Sequence, residues 1–109
     1  MTTPDTTPET TVDELDRHLA SGGRVLDVRN PDEYADAHIP GAVLIPLSEL
    51  DQRLGDVPPD RPVHVVCQSG RRSAQAVQQL LRADIDAVSV TGGTSGWSES
   101  GRPTETGRR

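Results

Sequence analysis

Phenylalanine and lysine are absent from this chain, and cysteine, methionine, tryptophan and tyrosine occur once each. Each scarcity excludes something. A lone cysteine, Cys67, cannot close a disulfide within the chain, which fits a reducing cytoplasm. It also leaves no second thiol in the chain to resolve a modified Cys67. With no Phe, one Trp and one Tyr, the core must be filled by Val, Leu, Ile and Ala. No apolar run approaches the ~18 residues that a membrane span requires. Residues 1–9 show neither a basic n-region nor an apolar h-region, so no secretory signal is expected. All 11 basic residues are arginine, against 17 acidic residues, for a net charge of −6. That balance argues against nucleic acid as a partner, because such binding needs a basic face. The three histidines, His18, His38 and His64, are scattered without metal-ligand spacing, so no metal is expected, and no other cofactor is called for.

What is present is an alternation of strand and helix signals over a single domain of 109 residues. Residues 1–9 are Thr/Pro-rich and read as a disordered tail, and 104–109 read as a polar tail, which leaves 10–103 as the domain. Thr11 and Glu14 form a capping box before Leu15 and Leu19, and Gly22-Gly23 ends that helix. A short buried strand over 25–28 follows. Asn30 and Pro31 then open a short second helix, with Glu33 as capping-box partner. Further strands are expected over 43–45, 63–66 and 87–90. A helix carrying Leu50 and Leu54 is expected after Ser48, another over 73–82, and a last helical turn around Trp97. Thr10 to Val12 offers a short strand as an alternative start. Such alternation predicts an α/β fold. Its small parallel sheet of four to five strands is flanked by helices on both faces.

The chemistry concentrates in Cys67-Gln68-Ser69-Gly70-Arg71-Arg72-Ser73. The cysteine follows the apolar run Val63 to Val66 and precedes a glycine, two arginines and a helix start. Inward backbone N–H groups, the helix N-terminus and two guanidiniums would all favour a thiolate and any anion bound beside it. Without this loop, a lone Cys would read as an inert hydrophobe. Ligands of parallel sheets sit beyond the carboxyl ends of the strands. Cys67, the pair Asp27 and Arg29, and the Gly92-Gly93 turn all fall there.

Three ordered blocks carry a family resemblance over about residues 11–103. The first runs Leu26-Asp27-Val28-Arg29, Pro31-Asp32-Glu33-Tyr34 and His38-Ile39-Pro40-Gly41-Ala42. The second is the Cys67–Ser73 loop. The third is Gly92-Gly93, Trp97 and Gly101-Arg102-Pro103. Together they resemble a single-domain rhodanese, the sulfurtransferase homology domain. The resemblance implies a rhodanese-like fold and a thiosulfate sulfurtransferase-type enzyme. Its Cys67 thiolate takes the sulfane sulfur of a donor such as thiosulfate, becomes a persulfide, and passes the sulfur to cyanide, a small thiol or a protein acceptor. The alternative is a non-catalytic rhodanese-like module that binds a partner or senses redox state through Cys67. Cys-dependent phosphatases on related folds resemble Cys-x5-Arg, whereas four residues separate Cys67 from Arg72. That shorter loop suits a sulfur atom rather than a phosphoryl group.

Gln68, Ser69, Gly70, Arg71, Arg72 and Ser73 are the candidate substrate-binding residues, with Arg72 as loop organiser and anion ligand. Arg71 reads as a second anion ligand or a solvated side chain. Ser73 either contacts the sulfur or caps the helix. Asp27 and Arg29, spaced i,i+2 on one face, brace the loop from behind. Gln68 stands where relatives often carry a cation, which puts the natural donor in question. His38 and His64 read as structural, His18 as exposed helix surface, and Trp97 as a core plug.

Overall fold

The computed structural model describes residues 7–107. Its centre is a five-stranded, all-parallel sheet in the order β1-β5-β4-β2-β3. These strands are β1 Glu9–Thr10, β2 Val25–Asp27, β3 Val43–Leu44, β4 Val63–Val66 and β5 Ala87–Val90. Helices α1 Val12–Ala20, α2 Pro31–Asp36, α3 Arg71–Arg82 and α4 Gly93–Glu99 make the crossovers and flanks. This is the α/β arrangement that the alternating pattern predicts.

The strands read as continuous apolar runs because both faces are covered. Side chains alternate between the faces. Leu26, Val28, Val63 and Val65 join Ile45, Leu50 and the α3 residues Ala76, Val77 and Leu80 in one cluster. Val25, Val66 and Val90 join Leu15, Tyr34 and Trp97 in the other. Cys67 continues the parity of Val63 and Val65, so it falls on the α3 face of the sheet.

Local signals set the element ends. The Thr11 hydroxyl accepts from the Glu14 N–H at 3.1 Å and caps α1. At the end of α3, Asp84 adopts φ 63°, which lets Asp84 and Ile85 N–H donate to the carbonyls of Leu81 and Leu80. The segment after Ser48 forms two 3-10 turns, Leu47–Gln52 and Leu54–Asp56, rather than the expected α-helix. Pro46 and Pro58 bound it too closely for sustained i→i+4 bonding, and Leu50 is drawn into the core. Helix α3 starts at Arg71, two residues before the expected Ser73, because Gly70 at φ 125° takes the N-cap position.

Residues just outside positions 10 and 103 also bond to the rest of the chain. Residues 1–6 and 108–109 of the expected tails lie outside the described residues. Among the described residues, Pro8 O accepts from Ser89 N–H at 2.9 Å and Glu9 is already in β1. The outer edge of β5 has donors that need partners, and this segment supplies them. Glu105 pairs with His38 in an isolated antiparallel bridge, and Gly107 N–H donates to Ala35 O at 2.8 Å.

Trp97 is buried, as expected, and its Nε1–H donates to Pro103 O at 2.7 Å. Buried His38 stacks on Tyr34 with centroids 3.7 Å apart, and its Nδ1 lies 2.8 Å from Tyr34 O. His18 is not free helix surface. It stacks on His64 with centroids 3.9 Å apart, and its Nε2 lies 3.0 Å from Arg24 O. Gly23 makes this possible, since a Cβ there would collide with the His18 ring. The His18–His64 stack lies at the amino-terminal ends of β2 and β4, away from Cys67.

Candidate active site

From β2 the chain steps outward to β3, then returns across β2 to place β4 on its other side. The crevice between the carboxyl ends of β2 and β4 is therefore the switch point of the sheet. Asp27 ends β2 and Cys67 follows β4, so the topology sets them on neighbouring strand ends.

Only Gln68, Ser69 and Gly70 separate β4 and Cys67 from α3. Cys67 is 1% exposed. The Gly70 N–H donates to its Sγ at 3.0 Å, and its own S–H donates to Ser73 Oγ at 3.5 Å. Burial pushes the thiol pKa up. The Ser73 hydroxyl and the N–H groups of Ser73, Gly70 and Ser69 more than offset that, so the net displacement is below the ordinary 9.0. Ser73 is held in turn: its hydroxyl donates to Gly70 O at 3.1 Å and lies 2.7 Å from Ser89 Oγ. Ser73 and Ser89 are both buried.

Why the loop N–H groups face the sulfur follows from where its carbonyls go. Thr94 N–H donates to Cys67 O at 2.9 Å, and Ser95 N–H donates to Gln68 O at 3.0 Å. The first turn of α4 thus holds both carbonyls outward. Gly93 permits that approach, with φ 56° and a site where a Cβ would collide with Cys67 O.

Arg29 is 2% exposed and ties three segments together. Its guanidinium donates to both Asp27 oxygens, at 2.8 to 3.1 Å, to Ala37 O at 2.8 Å and to Gln68 Oε1 at 3.0 Å. Gln68 Nε2 then donates to Ser95 Oγ at 2.7 Å. A buried Asp–Arg pair at a strand end therefore grips the first residue of the loop.

Arg72 takes a partner that the sequence did not announce, whereas Arg71 is exposed, in keeping with one of its two expected readings. Both terminal nitrogens of Arg72 donate to Glu33, each at 2.7 Å, so its guanidinium bridges α3 to α2 rather than standing free for an anion. That bond pulls the Glu33 pKa from 4.5 to about 2, burial opposing and the Asn30 N–H assisting. Glu33 thus serves both as the α2 cap partner, accepting from Asn30 N–H at 3.1 Å, and as the counter-ion of Arg72. Arg71 is exposed, with no ion pair among the described residues. Sequence reasoning missed Ser89, Thr94 and Ser95. A serine at a buried position of an apolar strand was a usable signal for Ser89. The two α4 residues had none, because their role depends on how α4 docks.

A cleft of about 460 Å³ opens beside the loop, lined among others by Arg29, Gln68, Thr94 and Ser95. A parallel α/β sheet that presents a buried cysteine in a short loop at its switch point defines the class of fold. Within that class, residues 11–100 match the model of the rhodanese-like domain, and the chain belongs to that family. It is 35% identical over 94 residues to a sulfurtransferase of Allochromatium vinosum, covering 84% of this chain and 88% of that one. It is 39% identical over 75 residues to the Bacillus subtilis protein YqhL, covering 68% of this chain and 60% of YqhL. The crystal structure of a thiosulfate sulfurtransferase from Pseudomonas aeruginosa superposes with a TM-score of 0.82 at 34% identity, over 93% of this chain and 20% of that one. The chain spans 40% and 60% of the lengths of two Bacillus subtilis relatives that it matches. No helix among the described residues is long and apolar enough to cross a membrane.

Proposed function

We propose that this chain is a sulfurtransferase that moves a sulfane sulfur through Cys67, with thiosulfate as a competent donor. The observation that carries the reading is the solvation of a buried Sγ by backbone N–H groups and the Ser73 hydroxyl. Donors fixed in place before the reaction stabilise a sulfur anion without reorganisation.

In the first half-reaction the Cys67 thiolate attacks the outer sulfur of thiosulfate. The new S–S bond forms as the old one breaks, and sulfite leaves with the electron pair. Cys67 is left as a persulfide anion, which the loop N–H groups and the α3 N-terminus stabilise as they did the thiolate. In the second half-reaction an acceptor nucleophile attacks the outer sulfur, and the Cys67 thiolate is the leaving group. Cys67 is the catalytic residue. Gln68, Ser69, Gly70 and Ser73 line its anion pocket, Arg71 offers an unpaired cation to the incoming donor, and Arg72, Asp27 and Arg29 position the loop. These 109 residues hold no second thiol to intercept the persulfide, which supports an acceptor from outside them.

The test is thiocyanate production from thiosulfate and cyanide by wild type and Cys67→Ala. The expected result is turnover in the wild type and none in the variant, with a persulfide on Cys67 visible by mass after thiosulfate alone. A folded wild type that yields neither persulfide nor thiocyanate, with polysulfide as well as thiosulfate, would leave Cys67 as a sensor or binding residue.

A further inference from the structure

Ser89 is the one hydroxyl in a strand that is otherwise Ala and Val, and it is 2% exposed. An apolar side chain would cost less there, since a buried hydroxyl needs a partner. Its backbone is pinned on both sides, to β4 through the register with Val65 and to Pro8 O through its own N–H at 2.9 Å. From that fixed position its Oγ lies 2.7 Å from Ser73 Oγ, which in turn lies 3.5 Å from Cys67 Sγ.

The protons on Ser73 fix the direction of these bonds. A serine hydroxyl has one proton to give and two lone pairs to accept with. Gly70 O can only accept, so the bond to it at 3.1 Å takes the Ser73 proton. The 2.7 Å bond is then donated by Ser89, and the second lone pair takes the Cys67 S–H. In the thiol state Ser73 Oγ is therefore fully committed. Loss of the S–H proton to solvent breaks that arrangement. A lone pair of Ser73 then faces an anion, and the hydroxyl gains by turning its O–H from Gly70 O to Sγ. Gly70 O is not orphaned by the turn, because Ala74 N–H also donates to it, at 3.2 Å. Ser89 goes on donating to Ser73 Oγ in both states. A hydroxyl that accepts a hydrogen bond is a stronger donor, since successive bonds polarise one another.

We propose that Ser89 is a positioning residue for sulfur transfer: it holds and polarises the Ser73 hydroxyl, which turns its O–H from Gly70 O to Cys67 Sγ when the thiolate forms. This rests on the sulfur-transfer reading. The same donor serves twice, when Cys67 attacks the incoming sulfur and when its thiolate leaves as the acceptor takes that sulfur. No proton passes along the two serines; only the Ser73 O–H turns.

The test follows the pH midpoint of Cys67 alkylation in Ser89→Ala, Ser89→Thr, Ser73→Ala and Ser73→Ala/Ser89→Ala. Ser89→Ala should raise the midpoint by roughly 0.5 pH units, the scale of one cooperative bond on a charged group. Ser89→Thr keeps the hydroxyl in a strand that suits β-branched residues, and should return the midpoint to the wild-type value. In the Ser73→Ala background, loss of the Ser89 hydroxyl should have no further effect, because its route to the sulfur is gone. That comparison holds even if Ser89→Ala alone does not fold, since removing both hydroxyls leaves neither one orphaned. Arg72 with Glu33 and Arg29 with Asp27, the charged groups about the loop, are untouched in every variant. The rate of thiosulfate loading, read as persulfide by mass, should move along the pH axis with the alkylation midpoint. An unchanged midpoint in Ser89→Ala, a folded Ser89→Thr no better than Ser89→Ala, or an equal rise in both backgrounds would overturn the inference and leave sulfur transfer standing. A wild type that alkylates but never loads would overturn sulfur transfer, and with it the role of Ser89 in turnover.

Discussion

Gly93→Ala tests the way α4 shapes the active-site loop. Gly93 has φ 56°, a left-handed conformation that costs a residue with a Cβ about 1 kcal/mol. The added Cβ would also collide with Cys67 O and lie 2.9 Å from Gln68 O. Both are backbone atoms and cannot rotate aside, so α4 must withdraw. The bonds from Thr94 N–H to Cys67 O at 2.9 Å and from Ser95 N–H to Gln68 O at 3.0 Å would go with it. At about 1 kcal/mol each, their loss brings the total to roughly 3 kcal/mol. For a domain of this size that corresponds to a Tm drop on the order of 15 °C. Gly101→Ala is the matched control: φ there is 85°, but nothing lies within 4 Å of the added Cβ. Only the conformational cost applies, so it should lose about 5 °C. A second readout is the pH dependence of Cys67 alkylation. With its carbonyls released, the loop no longer holds its N–H groups on the sulfur, and the alkylation midpoint should rise in Gly93→Ala but not in Gly101→Ala. Equal Tm values for the two variants, or an unchanged midpoint in Gly93→Ala, would refute the claim that this close approach organises the loop.

Glu33→Gln removes the counter-ion of Arg72. The folded pKa of Glu33 is depressed from 4.5 to about 2, so its contribution is present above pH 4.5 and is lost as pH falls toward 2. At about 1.4 kcal/mol per pH unit the full depression corresponds to roughly 3 kcal/mol. About a third of each side chain is in water, so roughly 1 kcal/mol is the expected effect. Urea titrations at pH 7 and pH 3 should show the variant less stable at pH 7 and the difference shrinking at pH 3; a constant difference would mean that the ion pair is not its source. Ser73→Ala removes the hydroxyl that bonds Cys67 Sγ and leaves buried Ser89 without its 2.7 Å partner. The alkylation midpoint of Cys67 should rise, with about 1–2 kcal/mol of stability lost from the orphaned hydroxyl. A midpoint equal to wild type would assign the thiolate to the backbone alone.

Much of this was legible in sequence because it is written in local patterns. The limits of β4 and β5, the Thr11 cap and the Asn30-Pro31 helix start rest on residues within a few positions of each other. The loop was legible for the same reason, since strand, cysteine, glycine and helix are contiguous. What was not legible depends on contacts between distant segments. The Arg72–Glu33 pair spans 39 positions. Two adjacent arginines after a cysteine look alike in sequence, and only the placement of α2 decides that Arg72 is bound and Arg71 is not. His18 and His64 each read as isolated, and they stack only because α1 lies against the start of β4. The 3-10 turns after Pro46 show the other limit: a capping serine and two leucines imply a helix, but the prolines leave it no length.

The Arg72–Glu33 pair also changes what must stabilise the sulfur anion. Of the three guanidiniums near the loop, Arg29 is neutralised by Asp27 and Arg72 by Glu33. Full positive charge at the sulfur is therefore small, and the groups that lower the Cys67 pKa are N–H dipoles and one hydroxyl. Dipoles of this kind neither titrate nor attract counterions, and around a buried sulfur they are little screened by salt. In the sulfur transfer proposed above, the anion would move outward by one atom as the persulfide forms, and the N–H groups of the loop would remain the donors nearest to it. A single arginine fixed at thiolate distance would fit one of the two states better than the other. Under the proposed mechanism, a loop that holds its carbonyls outward on α4 and its N–H groups inward would serve both, keeping thiolate and persulfide close enough in energy for sulfur to pass in either direction.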